Sequence, residues 1–335
     1  MKIIEFLGFP DPNHDCFESS LICILQHLIG VEELSLMTKH NYLVFNFINK
    51  SVFPRANSIV SSWESLHGLK LETHEILDKK AFVEVTNFKL DANTPICVPV
   101  DIYYLPHTSH YNQIHIVHYL NVFGFNEKEY YIVSPYYKYA GWVEKKVLHD
   151  AFFSAHNKKS CIYYFSQIEW RDASQEQKTK ILIESCEYML GLKYPIDINA
   201  ARQESIQVGL IGITSLSSLL RDENILSDKK NFNENLELSS QLLSMGYSRY
   251  WLRESILNNK YVKLPPKRIG ELTSFLFEIE RLWRAAGTRF GGAIYSGNLN
   301  MVLQSKKRVD EIHKLEHDFY KELLSELSVF ERGSL

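Results

Sequence analysis

The sequence has little excess of either charge. Its 37 Lys and Arg stand against 40 Asp and Glu, for a formal net charge of -3, and no long basic run appears. Phosphate recognition needs clustered Lys and Arg, so nucleic acid is not an expected partner. Cysteine is scarce and scattered: the five residues Cys16, Cys23, Cys97, Cys161 and Cys186 form no CxxC pair. That removes the usual thiolate zinc framework, and the odd count and wide spacing read as reduced thiols of a cytoplasmic protein. The opening stretch before Cys16 is broken by Pro10 and Pro12 and is too short for a secretory signal or a membrane span. The uncharged run Ser205–Leu220 contains Ser, Thr, Gln and Gly and reads as a buried helix. No repeat of fixed period is present. What remains is ordinary globular composition, 45% hydrophobic and 23% charged, over a length that suits two domains.

The first half reads as α+β. Leu21, Ile24, Leu25 and Leu28 share one face of a predicted helix from Cys16 to Leu28, with Asn13 or Asp15 as its cap. A second helix is predicted over Ile59–Leu66. Strand-like runs are Tyr42–Ile48, Leu69–Ile76, Ile96–Asp101 and Cys161–Ile168. The clearest hairpin joins His118–Phe125 to Glu129–Val133 around Asn126-Glu127. After Arg171–Ser174 the pattern turns helical. Ser174-Gln-Glu-Gln177 is a capping-box sequence that opens a helix carrying Ile181, Ile183, Cys186 and Leu190. Further helices are predicted at Ala200–Leu220, Asn235–Met245, Arg268–Ala286 and Met301–Leu327. The last aligns Ile312, Leu315, Phe319, Leu323 and Leu327. Residues 1–170 and 171–335 are thus the expected domains, the second all-helical.

One cysteine stands apart. Cys23, Cys97, Cys161 and Cys186 sit in strand or helix sequence among apolar neighbours, as small buried hydrophobes do. Cys16 follows Asn13, His14 and Asp15 at the start of a helix. There the helix dipole and free N–H groups favour thiolate and can hold an oxyanion. Taken alone, Cys16 reads first as a surface or semi-buried thiol of no consequence, and as a nucleophile second. A base for it is sought among His107, His110, His115 and His118. A metal cluster is the competing use of these histidines. However, His115 and His118, three apart on a strand, point to opposite faces, and no Cys or acid accompanies His107 and His110. His118 opens the apolar strand His-Tyr-Leu-Asn-Val-Phe-Gly124 and is the candidate base; a structural histidine is the alternative.

The order of these pieces resembles a known family. The stretch from Asn13 to Gly30, then Val98-Pro-Val-Asp-Ile-Tyr-Tyr-Leu-Pro106, then His118–Phe125 followed by Tyr130-Tyr-Ile-Val-Ser-Pro135, is similar to the butirosin biosynthesis protein H N-terminal family. The same Cys…His…Asp-Pro order occurs in double-glycine leader peptidases. The resemblance spans about the first 165 residues. It implies a papain-like cysteine-protease-type fold, with the helical second half covering or completing the substrate cleft. It also implies transfer of an acyl group from the phosphopantetheine thioester of an acyl or peptidyl carrier protein to an amine, in antibiotic or other specialised metabolism. Cys16 would be the nucleophile and His118 the base, with no cofactor, metal or membrane involved. The sequence departs from the family at one position: Ser134 stands where the family has the Asp before Pro135. A serine still orients the imidazole but carries no charge, which leaves Asp101 as an alternative orienter and a plain turn serine as the bland reading.

Two other functions stay open. The same Cys16–His118 pair serves a cysteine peptidase, amidase or thioesterase, and the missing Asp suits a non-catalytic binding protein on a degenerate papain-like domain. Smaller features have two readings each. The tyrosines around the return strand line a groove or pack. Gly291-Gly292 is a loop between helices or a helix break. Lys306-Lys-Arg308 is a solvated helix face or a contact for an acidic carrier protein.

Overall fold

The computed structural model describes residues 2–37, 39–46, 48–53, 59–157, 159–195, 206–222, 225–226, 232–258, 260–261 and 264–333. In chain order its elements are β1 (Lys2–Ile3), α1 (Cys16–Ile29), α2 (Glu33–Leu36), β2 (Val44–Asn46), β3 (Ser51–Phe53), α3 (Ile59–His67), β4 (Leu69–Glu75), α4 (Lys79–Asp91), β5 (Ile96–Asp101), β6 (Val117–Phe125), β7 (Glu129–Ser134), β8 (Tyr139–Glu144), α5 (Lys145–Phe152), β9 (Cys161–Ile168), α6 (Gln175–Met189), β10 (Ile206–Val208), α7 (Gly209–Leu219), α8 (Phe232–Leu257), α9 (Pro266–Ser296) and α10 (Leu299–Gly333). The chain divides into two compact units. One combines Met1–Leu36 with Ile59–Asp172, the other Met37–Ser58 with Ala173–Leu335.

The first unit is built on an antiparallel sheet in the order β4-β9-β5-β6-β7-β8, with β1 added on β6. The β6–β7 hairpin turns where Asn126 Oδ1 accepts the N–H groups of Lys128 (2.8 Å) and Glu129 (2.7 Å), the side-chain mimic of a backbone turn. Helix α1 lies along β6. Asp15 is its N-cap, accepting from Glu18 N, and Gly30 ends it in the left-handed conformation. Its apolar positions Leu21, Ile22, Ile24 and Leu25 are fully buried. Alternation along β6 turns Tyr119 and Asn121 toward α1. Ser20 Oγ donates to Tyr119 O (3.1 Å), Asn121 Nδ2 donates to Ser20 O (2.9 Å), and Phe17 packs on Tyr119 with ring centroids 4.6 Å apart. These contacts fix the helix along the strand and place its N-terminus at the His118 end.

The second unit is mostly helical but not all-helical. Strand β10 pairs with β2, and β2 with β3, in a small antiparallel sheet. The expected strand Tyr42–Ile48 is therefore the shorter β2, and it belongs with the second unit, not the first. The helix expected from Ala200 begins at Gly209, after β10; residues 200–205 lie outside the described residues. The capping box is present, with Ser174 Oγ accepting from Gln177 N and the Gln177 side chain returning to Ser174 N. Gly291-Gly292 forms neither a loop nor a break: both residues lie inside α9. A Cβ at Gly291 would come within 2.8 Å of Ser239 Oγ, and one at Gly292 within 2.6 Å of the Met301 methyl. These glycines let neighbouring helices approach closely. The seam of α10 runs through Ile312, Glu316, Phe319, Leu323 and Leu327, all buried, whereas the expected Leu315 is only partly buried. Glu316 is tolerated there because Arg249, equally buried, binds it twice (2.8 and 3.1 Å) and Trp283 Nε1 donates to it (3.0 Å). Without such pairing a buried carboxylate costs several kcal/mol. Among the described residues no helix is long and apolar enough to cross a membrane.

Candidate active site

The loop before α1 is tied down by charge. Glu33 accepts the Asp11 N–H at both carboxylate oxygens (3.1 Å each) and meets His14 Nε2 at 2.5 Å. His14 is fully buried, with Glu18 on its other side at 3.6 Å. Burial opposes its charge, but hydrogen bonds and charges from Glu18 and Glu33 outweigh that and raise its pKa. Asp15, the single residue between this clamp and the helix, is thus fixed, and Cys16 takes the first helical position.

The Cys16 thiol sits beside the backbone of Tyr119, the residue after His118. The N–H groups of Tyr119, Cys16 and Phe17 favour its thiolate, as the helix N-terminus predicts. They do not prevail. Burial, followed by the charge of Asp15, pushes the thiol up to about 12. The expectation of a thiolate-favouring site is corrected here: desolvation outweighs three backbone dipoles.

His118 is 4% exposed. Its Nε2 lies 3.1 Å from Ser134 Oγ, the position the departure from the Asp-Pro pattern had marked. The pairing of β6 with β7 sets this contact: Asn121 faces Val133, so Ser134 falls opposite Leu120, diagonal to His118 on the same face. Burial, with a contribution from His107, lowers His118 to about 3. The resting imidazole is neutral. Two tautomers satisfy the Ser134 contact, since a hydroxyl donates or accepts. Only the one with Nε2–H donating to Ser134 leaves a lone pair on Nδ1. No hydrogen bond joins Cys16 to His118 among the described residues; what they share is Tyr137. Its ring centroid is 4.9 Å from that of His118, and its phenol is pushed up to about 12 by burial, then by the charges of Tyr136 and Cys16.

Neither a family model nor a curated protein matches the chain.

The remaining histidines separate. His107 stacks on Tyr139 at 4.0 Å, and burial holds it at about 4. Together with Tyr136 and Tyr137 these rings enclose His118. His115 does not lie on the strand, as the spacing had suggested, but precedes β6 and binds Asp101 through Nδ1 at 2.7 Å. Asp101, considered above as a substitute orienter for His118, is thereby assigned to a different imidazole. Among the described residues no group of three or more His, Cys, Asp or Glu is placed to hold a metal ion. The other cysteines show no such setting: Cys23, Cys97 and Cys186 are buried, and Cys161 is partly buried at the head of β9.

Proposed function

We propose that the first unit is a papain-like cysteine acyltransferase. It takes an acyl group from a carrier-protein phosphopantetheine thioester onto Cys16 and passes it to an amine, the reaction implied by the resemblance to the butirosin biosynthesis protein H N-terminal family. The observation that carries the reading is convergence: a thiol in the first turn of a buried helix, beside the backbone of the residue next to a histidine whose Nε2 contacts Ser134 at 3.1 Å.

The electrostatics define how such a site works. With the thiol at about 12 and the imidazole at about 3, a standing thiolate–imidazolium pair is steeply uphill. Proton transfer to His118 Nδ1 therefore accompanies attack on the thioester carbonyl. The negative charge developing on the carbonyl oxygen is met by first-turn N–H groups of α1. The thioester C–S bond then breaks, the donor thiol leaves with the proton, and the acyl group stays on Cys16.

A second reading, a binding protein on a degenerate papain-like domain, is favoured by one observation: both groups are held neutral. The deciding test is intact-protein mass spectrometry after incubation with an acetyl thioester of N-acetylcysteamine, with and without glycinamide. An adduct on Cys16 and amide product support acyl transfer. Free acid alone assigns a hydrolase. No adduct, with Cys16 no more reactive than cysteine in a peptide, assigns the binding protein.

A further inference from the structure

Asp101 is completely buried and accepts three hydrogen bonds: from Ser154 Oγ (2.6 Å), His115 Nδ1 (2.7 Å) and Tyr103 N (3.1 Å). Because the carboxylate accepts, His115 Nδ1 donates, and the tautomer that fits is the one with its lone pair on Nε2. The His115 side chain is 34% exposed, so that lone pair is reachable. The ring is held between two others, Tyr103 at 4.2 Å and 17° and His156 at 3.9 Å and 16°. Two imidazoles stacked face to face direct their lone pairs side by side and cannot converge on one metal ion. What the arrangement builds is a base: an oriented, accessible imidazole backed by a buried carboxylate.

Its place in the sheet is also informative. Asp101 pairs with Val117, and Pro99 with Tyr119, at the end of β5–β6 where α1 begins. Val117 and Tyr119 share the face that α1 covers. The loop that carries Ser154 leaves α5 and runs along the edge of β5 at this end, where Asn157 Nδ2 donates to Pro99 O (2.9 Å) and Lys159 Nζ to Tyr119 Oη (2.6 Å). The thiol of Cys16 and the Asp101–His115 pair therefore lie at one end and on one face of the same sheet.

We infer that His115 is the base for the second half of the reaction, taking the proton from the amine that attacks the Cys16 acyl-enzyme, with Asp101 as its positioning residue. This rests on the acyl-enzyme reading above. In the step, the amine nitrogen bonds to the acyl carbon and the C–S bond to Cys16 breaks. The amine proton goes to His115 Nε2 and then returns to the departing sulfur, so no other reactant is needed. The division of labour follows from chemistry. His118 is enclosed by the rings of Tyr136 and Tyr137, out of reach of an incoming amine, whereas His115 keeps a solvent-reachable nitrogen.

The test uses the full chain, the acetyl thioester of N-acetylcysteamine and glycinamide, with rapid quenching and intact mass. His115→Gln should form the Cys16 adduct at the wild-type rate and lose it to glycinamide about a hundredfold more slowly. Added imidazole should restore part of the rate to His115→Ala, which a merely structural role does not allow. Asp101→Asn should show the same accumulation and add little to His115→Gln. If Asp101→Asn does not fold, the imidazole rescue alone decides. Wild-type breakdown of the adduct in His115→Gln, or no rescue of His115→Ala, overturns the assignment and leaves the acyl-enzyme standing. Absence of any adduct in both wild type and His115→Gln overturns the acyl-enzyme reading and this inference together.

Discussion

Two histidines three residues apart experience opposite environments. His118 is sealed beneath Tyr136 and Tyr137, and its hydrogen-bond partner among the described residues is a neutral serine. His115 is a third exposed, and its partner is a buried carboxylate. The strand accounts for the difference. His118 lies within β6, where every second side chain enters the packed face, and His115 lies just before it, where a side chain reaches past the sheet end. The comparison shows that sequence proximity and residue type do not assign a catalytic role. Burial suppresses the charge of one imidazole, while a placed carboxylate keeps the other oriented and available.

The comparison can be broken or sharpened by mutation. The largest effect is expected from Cys16→Ala, which should abolish acyl transfer by at least about 10³-fold while leaving near-UV circular dichroism unchanged. Retained turnover would remove the thiol from the chemistry. In the wild-type protein, iodoacetamide should label Cys16 with a midpoint above the ordinary thiol value of 9.0, because its folded-state thiol is raised to about 12. A midpoint below 9.0 would show that the backbone dipoles prevail over burial.

Next in size is the acid sensitivity that His118 brings to the fold. Its pKa is lowered from 6.5 to about 3, so below 6.5 the unfolded chain takes up a proton that the folded protein refuses. The stability is fully present above 6.5 and is lost as pH falls toward 3. Urea unfolding of His118→Gln should show a shallower decline over that window, with acyl transfer lost by about 10² or more. Equal slopes for variant and wild type would contradict the burial of a neutral ring.

The smallest changes are at Ser134. Ser134→Ala should reduce acylation by roughly tenfold or less, the worth of one neutral hydrogen bond. Ser134→Asp gives His118 a carboxylate partner at Nε2, as His115 has one at Nδ1. By NMR titration it should raise His118 from about 3 toward 6.5 and speed alkylation of Cys16. An unmoved titration would mean that the serine contact does not govern the ring.

What the sequence reveals depends on how local the cause is. Strands Ile96–Asp101 and Cys161–Ile168, the Asp15 cap, the Asn126 turn and the Ser174–Gln177 capping box are set by neighbouring residues and are legible in it. Helix α4 is not, because only Phe82, Thr86 and Leu90 are buried, a stripe one residue wide in an otherwise polar segment. Strand β8 and helix α5 also escape, since Tyr-Ala-Gly-Trp-Val-Glu144 is a short, half-exposed strand broken by glycine. In the second unit, Glu316 on a core seam is readable only once Arg249 is seen opposite it. The candidate site divides in the same way. Cys16, His118 and Ser134 follow from motif order. The Asp101–His115 pair does not, because it depends on the register of β5 against β6 and on Ser154, which comes from a later loop. The sign of the Cys16 shift is not legible for a related reason: a helix N-terminus is visible in a sequence, but the depth of its burial is not.

The interleaving of the two units has a consequence for how the protein is made and how it can be cut. Strands β2 and β3 leave the ribosome before most of the first unit, yet their partner β10 emerges only after that unit is complete. Until then the hairpin has an open edge, and an isolated hairpin is marginal in water. A fragment ending at Asp172 would carry that unsatisfied edge permanently, and one beginning at Ala173 would lack two of the three strands of its small sheet. A portable first unit therefore calls for excision of residues 37–58 and a linker in their place, not for a single cut.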